Sequence, residues 1–129
     1  MQENNFQDLQ VFEDPYMNKI CDLFTNEVYG ITHRYPLIVG SVAKMLAGNL
    51  EETYTPKDVD FTIDSIAFRQ LINRHQIDPL FPFAKMIEIR PERILVWTNE
   101  KVIELWNWQK KNDNEILTLY KDKIIYLWQ

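Results

Sequence analysis

Leu37-Ile38-Val39-Gly40-Ser41 and, downstream, Thr55-Pro56-Lys57-Asp58-Val59-Asp60-Phe61-Thr62-Ile63 decide how this 129-residue chain is read. Pro36 introduces the first stretch, whose apolar run reads as a buried strand that ends at Gly40-Ser41 and opens into a short helix over Ser41–Ala47, stopped by Gly48-Asn49. The second alternates. Val59, Phe61 and Ile63 face one side of a strand, and Asp58, Asp60 and Thr62 face the other.

Outward from these stretches, Asp14-Pro15 has the form of an N-cap with proline at the first helical position. Tyr16, Ile20, Leu23, Phe24 and Val28 then recur at helical spacing, and Gly30 supplies a C-terminal stop. Asp64-Ser65 caps a second long helix through Phe68, Leu71 and Ile72 to about His75. Ala84–Ile89 and Arg93–Trp97 read as strands around a turn at Pro91-Glu92. Thr98-Asn99 reads as the cap of a helix through Val102, Leu105 and Trp106 to about Lys111. Glu115–Trp128 fits either a hairpin or one amphipathic helix. The order implies an α/β (α+β) fold, a small mixed sheet flanked by helices. With no repeat, low-complexity run or linker, residues 1–129 are taken as one domain.

Hydrophobic residues at 46% and charged ones at 26% fit an ordinary globular core and argue against disorder. The net charge of -5 argues against a broad basic face for duplex nucleic acid, since such binding needs many cationic phosphate contacts. Cys21 stands alone, so no intrachain disulfide can form and a reducing, cytoplasmic setting is expected. No apolar run approaches the roughly 20 residues needed to span a bilayer, and the N-terminus has neither the basic nor the apolar region of a secretory signal, so no membrane partner is expected.

The chemistry concentrates on the two opening stretches. Residues two apart on a strand share a face with Cα atoms roughly 6.5–7 Å apart, so Asp58 and Asp60 can converge on hard cations that prefer oxygen. Two magnesium ions about 4 Å apart can stabilise the attacking and leaving oxygens of a phosphoryl displacement. Glu88, in Met86-Ile87-Glu88-Ile89, reads as the only carboxylate inside a later apolar strand and is the candidate third acid. At Gly40 a backbone can come close to a phosphate, Ser41 can donate its hydroxyl, and the following helix start favours negative charge. Lys44 and Lys57 can add positive charge beside a triphosphate.

A strand ending in Gly40-Ser41, a short helix, a polar loop with Thr55-x-Lys57, then Asp58-Val59-Asp60 resembles the DNA polymerase β-like nucleotidyltransferase superfamily, especially its minimal members. The resemblance covers roughly Leu37 to Trp97. It implies that Gly40 and Ser41 contact nucleotide phosphates, that Asp58 and Asp60 bind Mg2+, and that Glu88 takes the third-carboxylate position. The implied reaction moves a nucleoside monophosphate from an NTP, with ATP the expected donor, to an acceptor that is a protein, an RNA end or a small molecule. The chain departs from the pattern in three respects: Val39 stands where many members carry a first glycine, Glu51 and Glu52 stand where an arginine is common, and Glu88 is longer than the usual aspartate.

Simpler readings stand beside these. An Asp-x-Asp strand can be a solvated sheet face, Glu88 can pair with Arg90, and Lys44 and Lys57 can be surface lysines. His33 and His75 suit helix C-termini without any catalytic role. Cys21 reads as a core thiol and Trp106 as core packing, whereas Trp108 and Trp128 can mark a protein-partner or homo-oligomer surface. The departures together support an alternative, a catalytically inactive protein of the same fold that acts as a binding or regulatory partner. A third possibility is an unrelated α+β domain in which the two motifs are coincidental, which a wide separation of Ser41 from Asp58 would settle.

Overall fold

The computed structural model describes Phe6 and residues 10–46, 56–99 and 101–108. Its elements run α1 (Pro15–Thr32), β1 (Leu37–Val39), α2 (Gly40–Leu46), β2 (Val59–Asp64), α3 (Ser65–Ile77), β3 (Met86–Ile89), β4 (Arg93–Trp97) and β5 (Val102–Trp108). The five strands form one sheet in the order β1-β2-β5-β4-β3, with β2 and β5 parallel and every other pair antiparallel. The mixed α+β class expected from the sequence is the one observed.

Both long helices begin as their caps dictate. Asp14 accepts from the Tyr16 amide with Pro15 at the first helical position, and Asp64 accepts from the Ala67 amide. Each carboxylate satisfies an amide that the helix itself cannot reach. Gly30 is not the stop. The α1 helix continues to Thr32, and His33 ends it in the left-handed region at φ 58, its amide donating to the Tyr29 carbonyl. Thr32 helps set this end, because its hydroxyl donates to the Val28 carbonyl and accepts from the Arg34 amide.

One face of the sheet is the core. Ile38, Phe61, Leu105 and Ile94 lie in one row across four strands, and Val59, Ile103 and Val96 lie in the next. All seven are fully buried. From α1, Phe24 packs its ring 5.1 Å from that of Phe61, and Phe6 adds a third ring at 5.8 Å. Phe68 and Leu71 of α3 join the same cluster. Burying each such side chain contributes about 1.5–3 kcal/mol, so this face anchors the strand register. Cys21 is fully buried among these residues, a core thiol whose pKa desolvation pushes well above its ordinary value.

The segment expected to form a helix after Thr98-Asn99 is instead β5. Val102, Leu105 and Trp106 do match a helical stripe, but the same seven residues alternate. Ile103 and Leu105 point into the core, and Val102, Glu104 and Trp106 point to the opposite face. Thr98 closes a hairpin rather than capping a helix: its amide and hydroxyl both donate to the Lys101 carbonyl. Inserted between β2 and β4, β5 satisfies backbone groups on two strand edges at once, which a helix there could not do. The segment 115–128 lies outside the described residues.

Candidate active site: a carboxylate pair on the polar face of the sheet

The face opposite the core carries the polar positions. Register fixes its composition. One row reads Val39, Asp60, Glu104, Leu95, Glu88 across all five strands, and the next reads Thr62, Trp106, Arg93 across β2, β5 and β4. Asp60 and Glu104 are therefore direct neighbours on parallel strands, close enough for their carboxyls to hydrogen-bond. Two carboxyls can do this only if they share a proton, and burial disfavours two adjacent negative charges. Desolvation raises the Asp60 pKa from 3.8 to about 7, helped by the Glu104 hydrogen bond and by the charges of Glu104 and Asp58, against a smaller opposing pull from Arg93.

The Gly40-Ser41 turn closes on the same carboxylate. Val39 pairs with Asp60 across β1 and β2, and Gly40 begins α2 at φ 72. A Cβ built on Gly40 would lie 2.6 Å from Asp60 Oδ2, so any side chain there would displace the acid. Glycine is required twice over, by the left-handed backbone and by the close approach. Ser41 follows, half-buried. The two stretches that open the sequence reading thus meet in space.

Asp58 stands just before β2, and its Oδ1 accepts from the Val102 amide at 3.0 Å. It ties the entrance of β2 to the start of β5 while adding negative charge beside Asp60. Lys57 is exposed next to it, and Lys44 is half-buried in the last turn of α2.

Glu88 lies on the same face as Asp60 but not beside it. In its row Leu95 and Glu104 separate it from Asp60, three strand spacings or roughly 14 Å away. Its carboxylate pairs with Arg90, the simpler reading of that residue. Glu104 occupies the neighbouring strand instead. The signal for it was present in the sequence: Ile103-Glu104-Leu105 has the same apolar-acid-apolar form as Ile87-Glu88-Ile89, within a run rich in β-branched and aromatic residues.

Glu104 is held from its far side by Arg93, whose Nη1 lies 2.8 Å from Glu104 Oε1. The Arg93 guanidinium sits 4.8 Å over the Trp106 ring. Trp106 is therefore a half-buried member of this polar face rather than core packing. Three side-chain atoms of this group, Asp60 Oδ1, Arg93 Nε and Trp106 Nε1, are buried without a hydrogen bond to the protein, Arg93 Nε lying 3.8 Å from Glu92 Oε1. Buried polar atoms are seldom left so, and here they cluster around one pair of acids. Among the described residues no group of three or more His, Cys, Asp or Glu is arranged to hold a metal ion. Two carboxylates are arranged, and a magnesium ion is commonly held by one or two carboxylates together with substrate phosphates. A divalent cation in place of the shared proton would satisfy the buried Asp60 oxygen and cancel the repulsion between the acids, so the donors fit the ion.

On the helical side, a groove of about 490 Å³ is lined by residues including Glu27, Ile31, Arg74, Asp78 and Leu80. None of its lining residues belongs to the carboxylate face. Trp108 is half-buried at the end of β5, and Trp128 lies outside the described residues. No helix among the described residues is long and apolar enough to cross a membrane. No protein-family model, curated protein or solved structure matches this chain.

Proposed function

We propose that this chain is a magnesium-dependent nucleotidyltransferase of the DNA polymerase β-like type, with Asp60 and Glu104 as the metal-binding pair and Asp58 beside them. The observation that carries the reading is the meeting of Asp60 with both Glu104 and Gly40 on one face of the sheet. The glycine-serine turn, the Asp-x-Asp strand and a third carboxylate converge there, with Glu104 in the role that the sequence assigned to Glu88. When bound, Mg2+ would supply the positive charge that draws the NTP phosphates to the acids and stabilises the charge developing on the leaving oxygen.

The chain's own groups have defined parts. Asp60 and Glu104 would hold the ion, Asp60 as the deprotonated carboxylate. Gly40 and Ser41 offer the approach for phosphate oxygens. Glu104, beside Arg93, would accept the proton of an acceptor hydroxyl as that oxygen bonds the α-phosphorus and pyrophosphate departs. ATP is the donor of first choice, and a protein, an RNA end or a small molecule is the acceptor. The net charge of -5 and the lone buried cysteine suit a cytoplasmic location.

Calorimetric titration of each NTP with and without Mg2+ tests this reading. Wild type and Glu88→Gln should bind with magnesium dependence, and Asp60→Asn and Glu104→Gln should bind at least about tenfold more weakly. Folded wild-type protein with no magnesium-dependent affinity for any NTP would refute it. A second reading, a non-catalytic partner protein of this fold, draws on two contacts: Asp58 is engaged by the Val102 amide and Glu104 by Arg93. It predicts a stable protein complex that forms equally well with and without Mg2+.

A further inference from the structure

Arg93 touches the carboxylate pair from the side away from Asp60. In the antiparallel register of β4 and β5 it stands directly opposite Trp106, on the same face as Glu104 and two positions further along β5. From that register the guanidinium lies over the indole and Nη1 reaches Glu104 Oε1. The Arg93 side chain is 23% exposed and that of Glu104 19%, so water competes little for either.

We propose that Arg93 is the positioning residue of the site: held over the Trp106 ring, it fixes the Glu104 carboxylate so that the oxygen left free converges with Asp60 on a divalent cation. The inference rests on the metal reading above. A glutamate on a strand has several rotamers open to it, and a carboxylate that must meet a metal from a neighbouring strand needs one of them. Arginine suits this task because its planar fork can stack on an aromatic ring with its face while donating to a carboxylate from its edge. Groups that orient metal ligands in this way commonly change metal affinity by about 10- to 100-fold when removed.

Simple charge arithmetic predicts the opposite sign. A fixed cation beside two acids repels an incoming metal ion, so its removal should tighten binding if charge were the whole effect. Positioning predicts that removal weakens it. The measurement is Mn2+ binding to nucleotide-free protein, followed by electron paramagnetic resonance, for wild type, Arg93→Ala, Arg93→Lys, Glu104→Gln and the Arg93→Ala/Glu104→Gln double variant. Urea unfolding of each variant without metal reports the fold separately.

Arg93→Ala should weaken Mn2+ binding about tenfold or more, Arg93→Lys should recover part of that loss, and the double variant should bind no worse than Glu104→Gln alone. Unchanged or tighter binding by Arg93→Ala overturns the inference while leaving the metal site standing. An Arg93 effect that persists in full in the Glu104→Gln background overturns it equally. Should Arg93→Ala fail to fold, Arg93→Lys carries the comparison, and binding equal to wild type by that variant, which lacks the fork, overturns the role. Wild type without Mn2+ affinity, or Glu104→Gln binding as tightly as wild type, overturns the metal reading itself and this role with it.

Discussion

Replacing Asp60 with asparagine should make the metal-free protein more stable at alkaline pH. Asp60 titrates at about 7 in the folded chain against 3.8 for an unperturbed aspartate, a difference of about three pH units. Each unit corresponds to about 1.4 kcal/mol. Between these two values the folded state binds more proton than the unfolded state, so wild-type stability falls as pH rises from about 4 to about 7 and stays low above that. A single isolated site would give about 4 kcal/mol. Asp60 is half-buried and partly screened by water, so the expected gain at pH 8 is about 2–4 kcal/mol. Asparagine keeps the shape beside Gly40, and its amide can donate to Glu104 where the shared proton stood. Urea unfolding of both proteins in chelator at pH 4, 6 and 8 measures the difference, and the comparison cancels every group that titrates alike in the two. The gain should be near zero at pH 4 and grow through neutrality. An Asp60→Asn variant no more stable than wild type at pH 8, or a difference that does not change with pH, would refute the account of a buried, proton-sharing pair.

Gly40→Ala should destabilise by about 2–5 kcal/mol in urea unfolding, the sum of a left-handed φ costing alanine roughly 1–2 and a carboxylate forced aside at roughly 1–3. In an Asp60→Ala background only the backbone share should remain, and an undiminished loss there would show that the close approach to Oδ2 is not what requires the glycine. Asp64→Ala should lose about 1 kcal/mol through the α3 cap, with little more from the exposed ion pair to Arg34. Asp64→Asn retains a capping oxygen and should stay close to wild type; an equal loss in both variants would assign the effect to the ion pair instead.

The parts of the fold legible in the sequence are those decided locally. Asp14-Pro15 and Asp64-Ser65 mark helix starts because a capping carboxylate acts within three residues of itself. Val59, Phe61 and Ile63 alternate cleanly enough to give β2 and its buried face. The helical reading of β5 has a physical source. Seven residues containing Val102, Leu105 and Trp106 satisfy helical spacing, while Ile103 and Leu105 satisfy alternation, and so short a window does not separate the two. What decides the matter lies about forty residues away in sequence, in the open edge of β2. The third acid shifts from Glu104 to Glu88 for the same reason, since a helix over this segment takes Glu104 off the sheet. The α1 terminus differs from its sequence expectation on similar grounds: the signal at Gly30 is local, but the αL turn at His33 follows from the Thr32 hydroxyl bonded to the backbone on both sides of it.

The position of β5 also sets which pairing closes the sheet. The strands β3, β4 and β5 follow one another through short antiparallel turns, the second of them the hairpin at Thr98, while β1 pairs with β2 on the other side. The pairing that joins these two halves is β2 with β5, parallel and distant in sequence, with Val59 opposite Ile103. Such non-local pairing is intrinsically slower than hairpin closure, and each half presents an open strand edge without it. The same pairing makes Asp60 and Glu104 neighbours, so the two acids meet only where the two halves of the sheet do.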